Sequence, residues 1–251
     1  MKKIGIVGGV GWRSTLEYYR EICHCANEPH LARGLAGMPP TPEIVIESLD
    51  LAKSHSLLGN DDDERSWRGF DEYYRAALQR VETSGAEVAL LASNTPHHRF
   101  DEIVRGVKIP VISILDAAAK EASRIGMRRV LILGTALMMR SERFRAAFAK
   151  HGIELVAPRS TSAQAAIVVL IENLQRGRIK GAVTRLGKIA VANWPFAGEP
   201  VVCLARTELS MAVPVSRTKP RLQASFKYGG VTYISTMGAH IGAVLESVGM
   251  Q

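Results

Sequence analysis

Short apolar runs alternate with longer amphipathic segments along the chain. Residues 3–7, 88–92, 129–133 and 201–205 form runs that are too short for buried helices and are bounded by polar residues or glycine, which is typical of strands buried in a parallel sheet. Residues 67–84 instead carry apolar side chains at helical spacing. This alternation of strands and helices predicts an α/β fold with mainly parallel sheets flanked by helices.

The alternation occurs twice along the chain. In the first half we expect strands at 3–7, 43–49, 88–92 and 107–112, and helices at about 14–25, 67–84, 95–105 and 115–125. In the second half we expect strands at 129–133, 153–156, 201–205 and 231–234, helices at about 141–151, 163–176, 179–193 and 238–247, and a basic loop at 215–230. The repetition predicts two similar lobes with a ligand cleft between them. Residues 1–115 and 215–251 are expected to form lobe 1, and residues 116–214 to form lobe 2.

Three small polar residues stand where the strand 88–92 ends. Ser93, Asn94 and Thr95 follow it directly, and Pro96 then suits the first turn of a helix. Ligands of open α/β sheets bind at the carboxyl ends of strands, where backbone N–H groups suit a carboxylate or a phosphate. This strand end is therefore a candidate ligand site.

A matching strand end lies in the second half. The apolar residues 201–205 are followed by Arg206, Thr207 and Glu208. Because one strand of each half ends in small polar or charged groups, we expect both ends to contribute to a site built between the two lobes.

A glycine-rich turn joins the first strand to the first helix. Gly9, Val10 and Gly11 let the backbone approach an anion closely, and a tight structural turn is the alternative. The dinucleotide fingerprint is not complete, because Ser14 stands where another glycine is expected and no acidic residue ends the next strand in the usual way. We therefore expect no nucleotide cofactor.

Composition narrows the class of protein. Apolar residues make up 47% of the 251 residues and charged residues 22%, as in ordinary globular proteins. No apolar run reaches the roughly 18 residues of a membrane span, and a strand stands where a signal peptide would begin, so we expect no membrane partner. The 3 cysteines are too few for a disulfide framework, which predicts a cytoplasmic protein.

The net charge of +8 raises the question of whether the protein binds nucleic acid. Lysine and arginine are, however, scattered along the predicted helices and the 217–227 segment among apolar residues. This distribution favours solvated helix faces and attraction of small anions, so we expect no nucleic-acid partner. Cys23, His24 and Cys25 are metal-ligand types, but alternate residues point apart on a helix and no second ligand pair exists, so we expect no metal.

Several ordered motifs resemble the cofactor-independent aspartate/glutamate racemase superfamily. They are Lys3-Ile-Gly-Ile-Val-Gly-Gly-Val-Gly-Trp, Ser93-Asn-Thr-Pro-His, Leu133-Gly-Thr, Thr207-Glu-Leu and Ile234-Ser-Thr-Met-Gly-Ala-His. The resemblance spans almost the whole chain. It implies a pseudo-symmetric pair of α/β lobes, a homodimer, and a pair of cysteines that act as base and acid on opposite faces of the substrate's Cα.

Both positions of the family's cysteines carry other residues here. Ser93 stands before Asn-Thr, where a few relatives carry threonine and still racemise in one preferred direction. Arg206 stands before Thr-Glu-Leu, and a guanidinium with a pKa above about 12 cannot serve as a general base. Cys203 lies about 10 Å back along the strand at ~3.3 Å per residue and points to the other face, so it is not expected to replace the missing thiol.

Other roles are open for these residues. Arg206 can clamp a substrate carboxylate in a bidentate manner. Ser93 can donate a proton or a hydrogen bond, but as a base it needs an activator, for which His97 and His98 are the nearest candidates and a structural role is their alternative. Glu208 can orient Arg206 or be a structural carboxylate.

The leading hypothesis is a superfamily isomerase that acts, without pyridoxal phosphate, at the Cα of a small amino or dicarboxylic acid through an atypical catalytic pair. It rests on the retained ligand-binding positions, which are Gly9, Val10, Gly11, Asn94, Thr95, Thr135, Thr207 and Glu208. A lyase or decarboxylase at the same site is the enzymatic alternative. A non-catalytic protein that binds amino acids or carboxylates on the racemase fold is the alternative from another class.

Overall fold

The computed structural model describes residues 1–212 and 223–250. The described residues divide into two compact units, of which unit 1 comprises residues 1–113 and 241–250 and unit 2 comprises residues 114–212 and 223–240. No helix within the described residues combines the length and the apolar character that crossing a membrane requires.

Unit 1 is built on a four-stranded parallel sheet. Its strands are β1 (Ile4–Gly8), β2 (Ile44–Ser48), β3 (Val88–Leu91) and β4 (Val111–Ile112). They lie in the order β2-β1-β3-β4, with Ile6 opposite Ile46 on one side and Leu90 on the other. Every residue of β1 and β3 is buried, which explains why these strands are almost continuously apolar in the sequence.

Four α-helices of unit 1 accompany this sheet. They are α1 (Trp12–Ala32), α2 (Leu51–Ser56), α3 (Arg68–Thr83) and α4 (Phe100–Ile103), with 3₁₀ turns at Glu64–Trp67 and Thr95–Arg99. On α3, Phe70, Tyr74 and Val81 are buried, so these apolar side chains belong to the core as their spacing predicts. Helix α3 packs closely on β1, because a side chain at Gly5 would come within 2.9 Å of Val81.

Unit 2 contains a five-stranded sheet. Its strands are β5 (Arg129–Gly134), β6 (Glu154–Val156), β7 (Val201–Ala205), β8 (Ser225–Tyr228) and β9 (Val231–Ser235). They lie in the order β6-β5-β7-β9-β8, and only the β8–β9 pair among these strands is antiparallel. Both units therefore have a mainly parallel sheet, as predicted.

Helices flank the second sheet as well. They are α5 (Ile114–Arg124), α6 (Ala136–Arg140), α7 (Glu142–Ala149), α8 (Thr161–Gln175), α9 (Ala182–Asn193) and α10 (Thr207–Met211). Helix α11 (Thr236–Ser247) directly follows β9, and only its residues up to His240 belong to unit 2. A core of buried residues that includes Leu131, Phe144, Leu170 and Tyr233 joins strands and helices of this unit. Helix α7 begins after Ser141, whose side chain accepts the Phe144 N–H at 3.3 Å, and the separate helix α6 precedes it.

One part of the predicted basic loop is a strand. Residues 225–228 form β8, which pairs with β9 through a two-residue turn at Gly229 and Gly230, with φ of 58° and 73°. Positive φ at both turn residues is the geometry of a type I′ hairpin, which glycine adopts without strain. The segment 213–222 of the predicted loop lies outside the described residues.

The hairpin also changes the division into lobes. The predicted division placed residues 215–251 in lobe 1. Strand β9 pairs in parallel with β7, so residues up to His240 group with unit 2, and only residues 241–250 return to unit 1. The boundary near residue 115 lies close to the observed one, which follows Ser113.

Candidate functional site

In unit 1, the glycine turn and the Ser93 segment lie at the same edge of the sheet. Strands β1 and β3 are parallel neighbours, with Val7 opposite Leu91, so Gly9 and Ser93 both follow carboxyl ends of adjacent strands. Gly9 has a φ of 88°, and a side chain there would lie 2.3 Å from the Leu49 carbonyl oxygen. This position therefore requires glycine.

The glycine turn already uses one of its donors. The Gly9 N–H donates to the Thr15 hydroxyl at 3.0 Å, and Thr15 also fills the space beside Gly8. This contact favours the structural alternative for Gly9. Val10 is buried. Gly11 directly precedes α1 as its N-cap, and the Gly11 carbonyl accepts the Thr15 N–H at 3.1 Å.

The polar residues after β3 differ in exposure. Ser93 is half-buried, and its hydroxyl makes no hydrogen bond to any residue of the described ranges. Asn94 is buried, and its carbonyl accepts the His97 N–H at 3.0 Å. Thr95 is half-buried and starts the 3₁₀ turn, with Pro96 next to it as the sequence predicts.

Both histidines after Pro96 have structural contacts. His97 is buried, with Nε2 3.3 Å from the Leu91 carbonyl oxygen and its ring stacked on Phe100 at 5.2 Å. His98 Nε2 lies 2.9 Å from Asp61 Oδ1. Since the Ser93 hydroxyl is not hydrogen-bonded to either ring, the geometry favours the structural interpretation of the two histidines over activation of Ser93.

In unit 2, Thr135 and Arg206 follow neighbouring strand ends. Strands β5 and β7 are parallel neighbours, with Gly134 opposite Ala205. A side chain at Gly134 would lie 2.8 Å from the Ala205 carbonyl oxygen, so glycine permits this close strand contact. The Thr135 hydroxyl accepts the Met138 N–H at 3.4 Å and thereby caps α6.

Arg206 forms a two-point ion pair with Glu208. Its Nε donates to Glu208 Oε2 at 2.8 Å and its Nη2 to Oε1 at 3.2 Å. The two side chains are only 16% and 6% exposed. Of the two interpretations of Glu208, the geometry favours the one in which the carboxylate orients the guanidinium.

Further donors hold the Glu208 carboxylate. The Thr207 hydroxyl donates to Oε2 at 3.2 Å, and the Gln175 amide donates to Oε1 at 3.2 Å. Burial acts to raise the pKa of Glu208, but the charge of Arg206, the backbone N–H of Glu208 and the Gln175 and Arg206 hydrogen bonds outweigh it, so this pKa lies below its usual value. Glu208 is therefore ionised at neutral pH, and the pair carries no net charge.

The arrangement leaves Arg206 able to bind an acid. A guanidinium has five N–H donors, and the Glu208 pair uses only two of them. The remaining donors suit a carboxylate, because a guanidinium binds planar carboxylates in a bidentate manner. Arg206 cannot, however, remove a proton from carbon, because it stays protonated.

The thiol nearest to Arg206 along the chain lies in the core. Cys203 is completely buried, and burial raises the pKa of its thiol well above its usual value. A neutral, inaccessible thiol is neither a base nor a nucleophile. The structure thus agrees with the expectation that Cys203 does not replace the family's second cysteine.

Two contacts at this end of the sheet were not expected from the sequence. The Thr236 hydroxyl donates to the Leu204 carbonyl at 2.8 Å, and the Ser235 hydroxyl donates to Ser210 at 2.9 Å. Together they connect the end of β9 to the end of β7 and to α10. The only signal for them was the polar Ser-Thr pair after a buried strand.

We expect that replacing Gln175 with alanine lowers the free energy of unfolding by about 1 kcal/mol at pH 7, because Glu208 loses one donor. The loss should shrink as the pH falls below the Glu208 pKa, since the protonated carboxyl gains less from an N–H donor. Urea denaturation at several pH values measures it. Gln164, also on α8, donates to the neutral Pro158 carbonyl at 3.0 Å, so Gln164→Ala is the matched control. Equal pH dependence of the two variants would contradict the contact.

Comparison with known proteins gives a family match over most of the chain. The profile of the family described as Asp/Glu/Hydantoin racemase matches residues 7–244. This range begins within β1, contains β2 to β9 and includes every candidate site residue named above.

Solved structures of racemases share the fold. An aspartate racemase homologue from Pyrococcus horikoshii is 28% identical over 98% of this chain and 99% of that chain, with a TM-score of 0.70. The aspartate racemase of Picrophilus torridus is 18% identical over 100% and 96% of the two chains, with a TM-score of 0.72. A glutamate racemase from Francisella tularensis, solved with D-glutamate, is 14% identical over 98% and 81%, with a TM-score of 0.63. The predicted fold is confirmed.

Proposed function

Because the chain belongs to the Asp/Glu/hydantoin racemase family, we propose that it is an isomerase acting at the Cα of a small amino or dicarboxylic acid without pyridoxal phosphate. The observation that carries the proposal is the buried Arg206–Glu208 pair at the carboxyl end of β7. It holds a guanidinium in one orientation, as recognition of a carboxylate requires.

We assign to Arg206 the binding of the substrate carboxylate. A Cα–H beside a carboxylate is a very weak acid, and a positive charge on the carboxylate lowers the free energy of the carbanion that forms when the proton leaves. Glu208 keeps the guanidinium in place, and Thr207 and Gln175 keep Glu208 in place. In this assignment Arg206 stabilises charge and takes no part in proton transfer, so a water molecule on the face of the carbanion opposite Ser93 supplies the proton that completes inversion.

We assign to Ser93 the transfer of the proton at Cα. Its hydroxyl makes no hydrogen bond to another described residue, so it is available to donate to substrate. A serine hydroxyl is a much weaker acid and base than a thiol, and no histidine is hydrogen-bonded to it. We therefore expect the native protein to exchange the Cα proton slowly compared with a two-thiol racemase.

The backbone and the remaining polar groups are assigned to substrate binding. They are Gly9, Val10 and Gly11 after β1, Asn94 and Thr95 after β3, and Thr135 after β5. All follow carboxyl ends of parallel strands, the part of an α/β sheet where ligands bind. Because the Gly9 N–H is bonded to Thr15, we expect Gly11 and the Ser93–Thr95 segment to provide the backbone donors instead.

Proton NMR in D2O tests the proposal. The native protein is incubated with aspartate, glutamate, other amino acids and dicarboxylic acids, and the Cα–H signal of each is followed. We expect the signal of at least one acid to disappear, and the same sample analysed by chiral chromatography to contain both enantiomers. Loss of carbon dioxide or ammonia would indicate a lyase or decarboxylase. Unchanged spectra together with a raised melting temperature would indicate a binding protein.

We also propose that the protein is a homodimer, because the family that it resembles forms homodimers. We propose a cytoplasmic location because the three cysteines are free thiols. Cell fractionation followed by immunoblotting tests the location, and a protein found in the membrane or secreted fraction would contradict it. The molar mass in solution tests the dimer.

A further inference from the structure

Helix α1 carries a stripe of large apolar side chains on its solvent-exposed face. Trp12, Leu16 and Tyr19 are 57%, 57% and 47% exposed. Cys23, one turn further along, is half-buried. The spacing of four, three and four residues places these four side chains on one face of the helix. Burial of α1 against its own unit uses another face, which includes Ser14, Tyr18 and Ile22.

The exposed area of the stripe is that of a major apolar patch on a protein surface. Aromatic side chains have about 150–250 Å² of surface each, so Trp12, Tyr19 and Leu16 together expose on the order of 300 Å². An apolar patch of this size is comparable with the largest patch on a typical monomeric protein, which often has a function. It matches the apolar centre of a standard interface, which buries roughly 800 Å² on each partner and has a polar rim.

The rim of the stripe carries charges of both signs. Arg20 forms an ion pair with Glu17, and the Arg13 guanidinium lies 4.4 Å from the centre of the Trp12 ring. A mixed rim neither repels a second copy of itself nor selects a strongly charged partner. This favours self-association over binding of nucleic acid or of an acidic protein.

The spacing of the stripe also suits two-fold symmetry. Read from either end, the intervals are four, three and four residues, so two antiparallel copies place Trp12 opposite Cys23 and Leu16 opposite Tyr19. In a two-fold dimer the same patch meets itself, and the stripe satisfies this condition along its whole length. Tryptophan and tyrosine are also the residue types that contribute most to binding energy at interfaces.

We propose that the α1 face formed by Trp12, Leu16, Tyr19 and Cys23 binds a second copy of the chain, with the two α1 helices antiparallel. The proposal rests on the homodimer proposed above and is independent of the catalytic assignments. A second exposed apolar area exists on α8, where Val168 and Val169 are 40% and 54% exposed, but it has no aromatic side chain.

Sedimentation equilibrium and light scattering of the full chain test the surface. We expect the native protein to have the mass of two chains and Leu16→Glu to have the mass of one, because a buried charge opposite Tyr19 is not paired. The control Val169→Glu should remain a dimer. A native monomer would overturn both the homodimer and the surface. A dimer that survives Leu16→Glu, or that dissociates only on Val169→Glu, would overturn the proposed α1 interface but not the homodimer. Neither result bears on the NMR test of catalysis.

Disulfide trapping tests the antiparallel arrangement. Trp12→Cys in a Cys25→Ala background should form an oxidised dimer through Cys23 of the second copy. Adding Cys23→Ser should abolish it, because the two copies of position 12 would lie about 16 Å apart along antiparallel helices at 1.5 Å per residue. Trapping that persists after Cys23→Ser would indicate parallel helices and would overturn the arrangement, as would failure of both variants to form a linked dimer. Circular dichroism confirms that the variants are folded.

Discussion

A variant with Ser93→Cys and Arg206→Cys is expected to racemise aspartate or glutamate at least about 100-fold faster than the native protein, since a positioned acid or base contributes roughly 10²–10⁴-fold. A thiol with a pKa near 8.5 can both take and give a proton at neutral pH, whereas a serine hydroxyl is a much weaker acid and base and a guanidinium stays protonated. Chiral chromatography of the reaction measures the rate. Position 93 follows β3 and position 206 follows β7, so each new thiol would stand directly before the Asn-Thr and Thr-Glu-Leu motifs, as in the family that the sequence resembles.

Single-thiol variants are the controls for this result. Ser93→Cys with Arg206→Ala, and Ser93→Ala with Arg206→Cys, each keep one thiol and should not racemise at the rate of the double variant. Because removing Arg206 leaves Glu208 buried without its cation, the double variant is also prepared with Glu208→Gln. A folded double variant that is inactive towards every acid, with and without this change, would contradict the assignment of Ser93 and Arg206 to the family's catalytic positions.

The Ser93→Cys variant that retains Arg206 separates proton removal from inversion. A single thiol on one face of Cα can remove a proton and return a deuteron only from that face. We therefore expect its deuterium exchange in D2O to exceed its rate of racemisation. This difference follows from the role of Arg206 as a carboxylate-binding group that transfers no proton.

The predicted strands correspond closely to the observed ones where burial is complete. Residues 88–92 and 201–205 are apolar throughout because both faces of β3 and β7 are covered, and this leaves a signal in the sequence. The prediction of a basic loop at 215–230 was wrong for residues 225–228, which form the strand β8. Ser225–Tyr228 is an edge strand of half-buried and exposed residues, so its apolar pattern is weak, although the Gly229-Gly230 turn was a hairpin signal.

Helix boundaries were the least predictable part. Helix α1 continues from Trp12 to Ala32, well past the predicted end near residue 25, and includes Pro29, although a proline inside a helical pattern usually ends or kinks the helix. The predicted helix at 95–105 is a 3₁₀ turn followed by the single turn of α4. Short polar segments of this kind have no periodicity long enough to distinguish the two helix types.

The structure places the candidate residues at the strand ends that the sequence predicts, but their contacts were not predictable. We selected Ser93, Thr135 and Arg206 as candidates because they follow strand ends, where the ligand sites of α/β sheets lie. The Arg206–Glu208 pair was one of two alternatives, since two residues apart is within side-chain reach. Gln175 was not predicted, because it is 33 residues from Glu208 and meets it only through the packing of α8.

Breaking the Arg206–Glu208 pair is expected to destabilise the protein by about 3–5 kcal/mol, the range for removing one partner of a buried ion pair. Arg206→Met leaves the Glu208 carboxylate in a site where it is only 6% exposed, with no cation opposite it. Adding Glu208→Gln removes the uncompensated charge, so the double variant should recover most of the loss. Urea denaturation of both single variants and the double variant at pH 7 measures the coupling. Additive effects of the two changes would show that the pair is not coupled.

The pH dependence of stability provides an independent test of the same pair. The folded-state pKa of Glu208 lies below its unfolded value of about 4.3. A group of this kind contributes stability that is fully present above the unfolded pKa and is lost as the pH falls through the folded pKa. The native protein should therefore lose stability below about pH 4.3 more steeply than the Arg206→Met, Glu208→Gln variant, which has no ionisable group at these two positions. Parallel curves for the two proteins would mean that Glu208 is not held ionised by Arg206, and the carboxylate-binding role of Arg206 would then lose its structural basis.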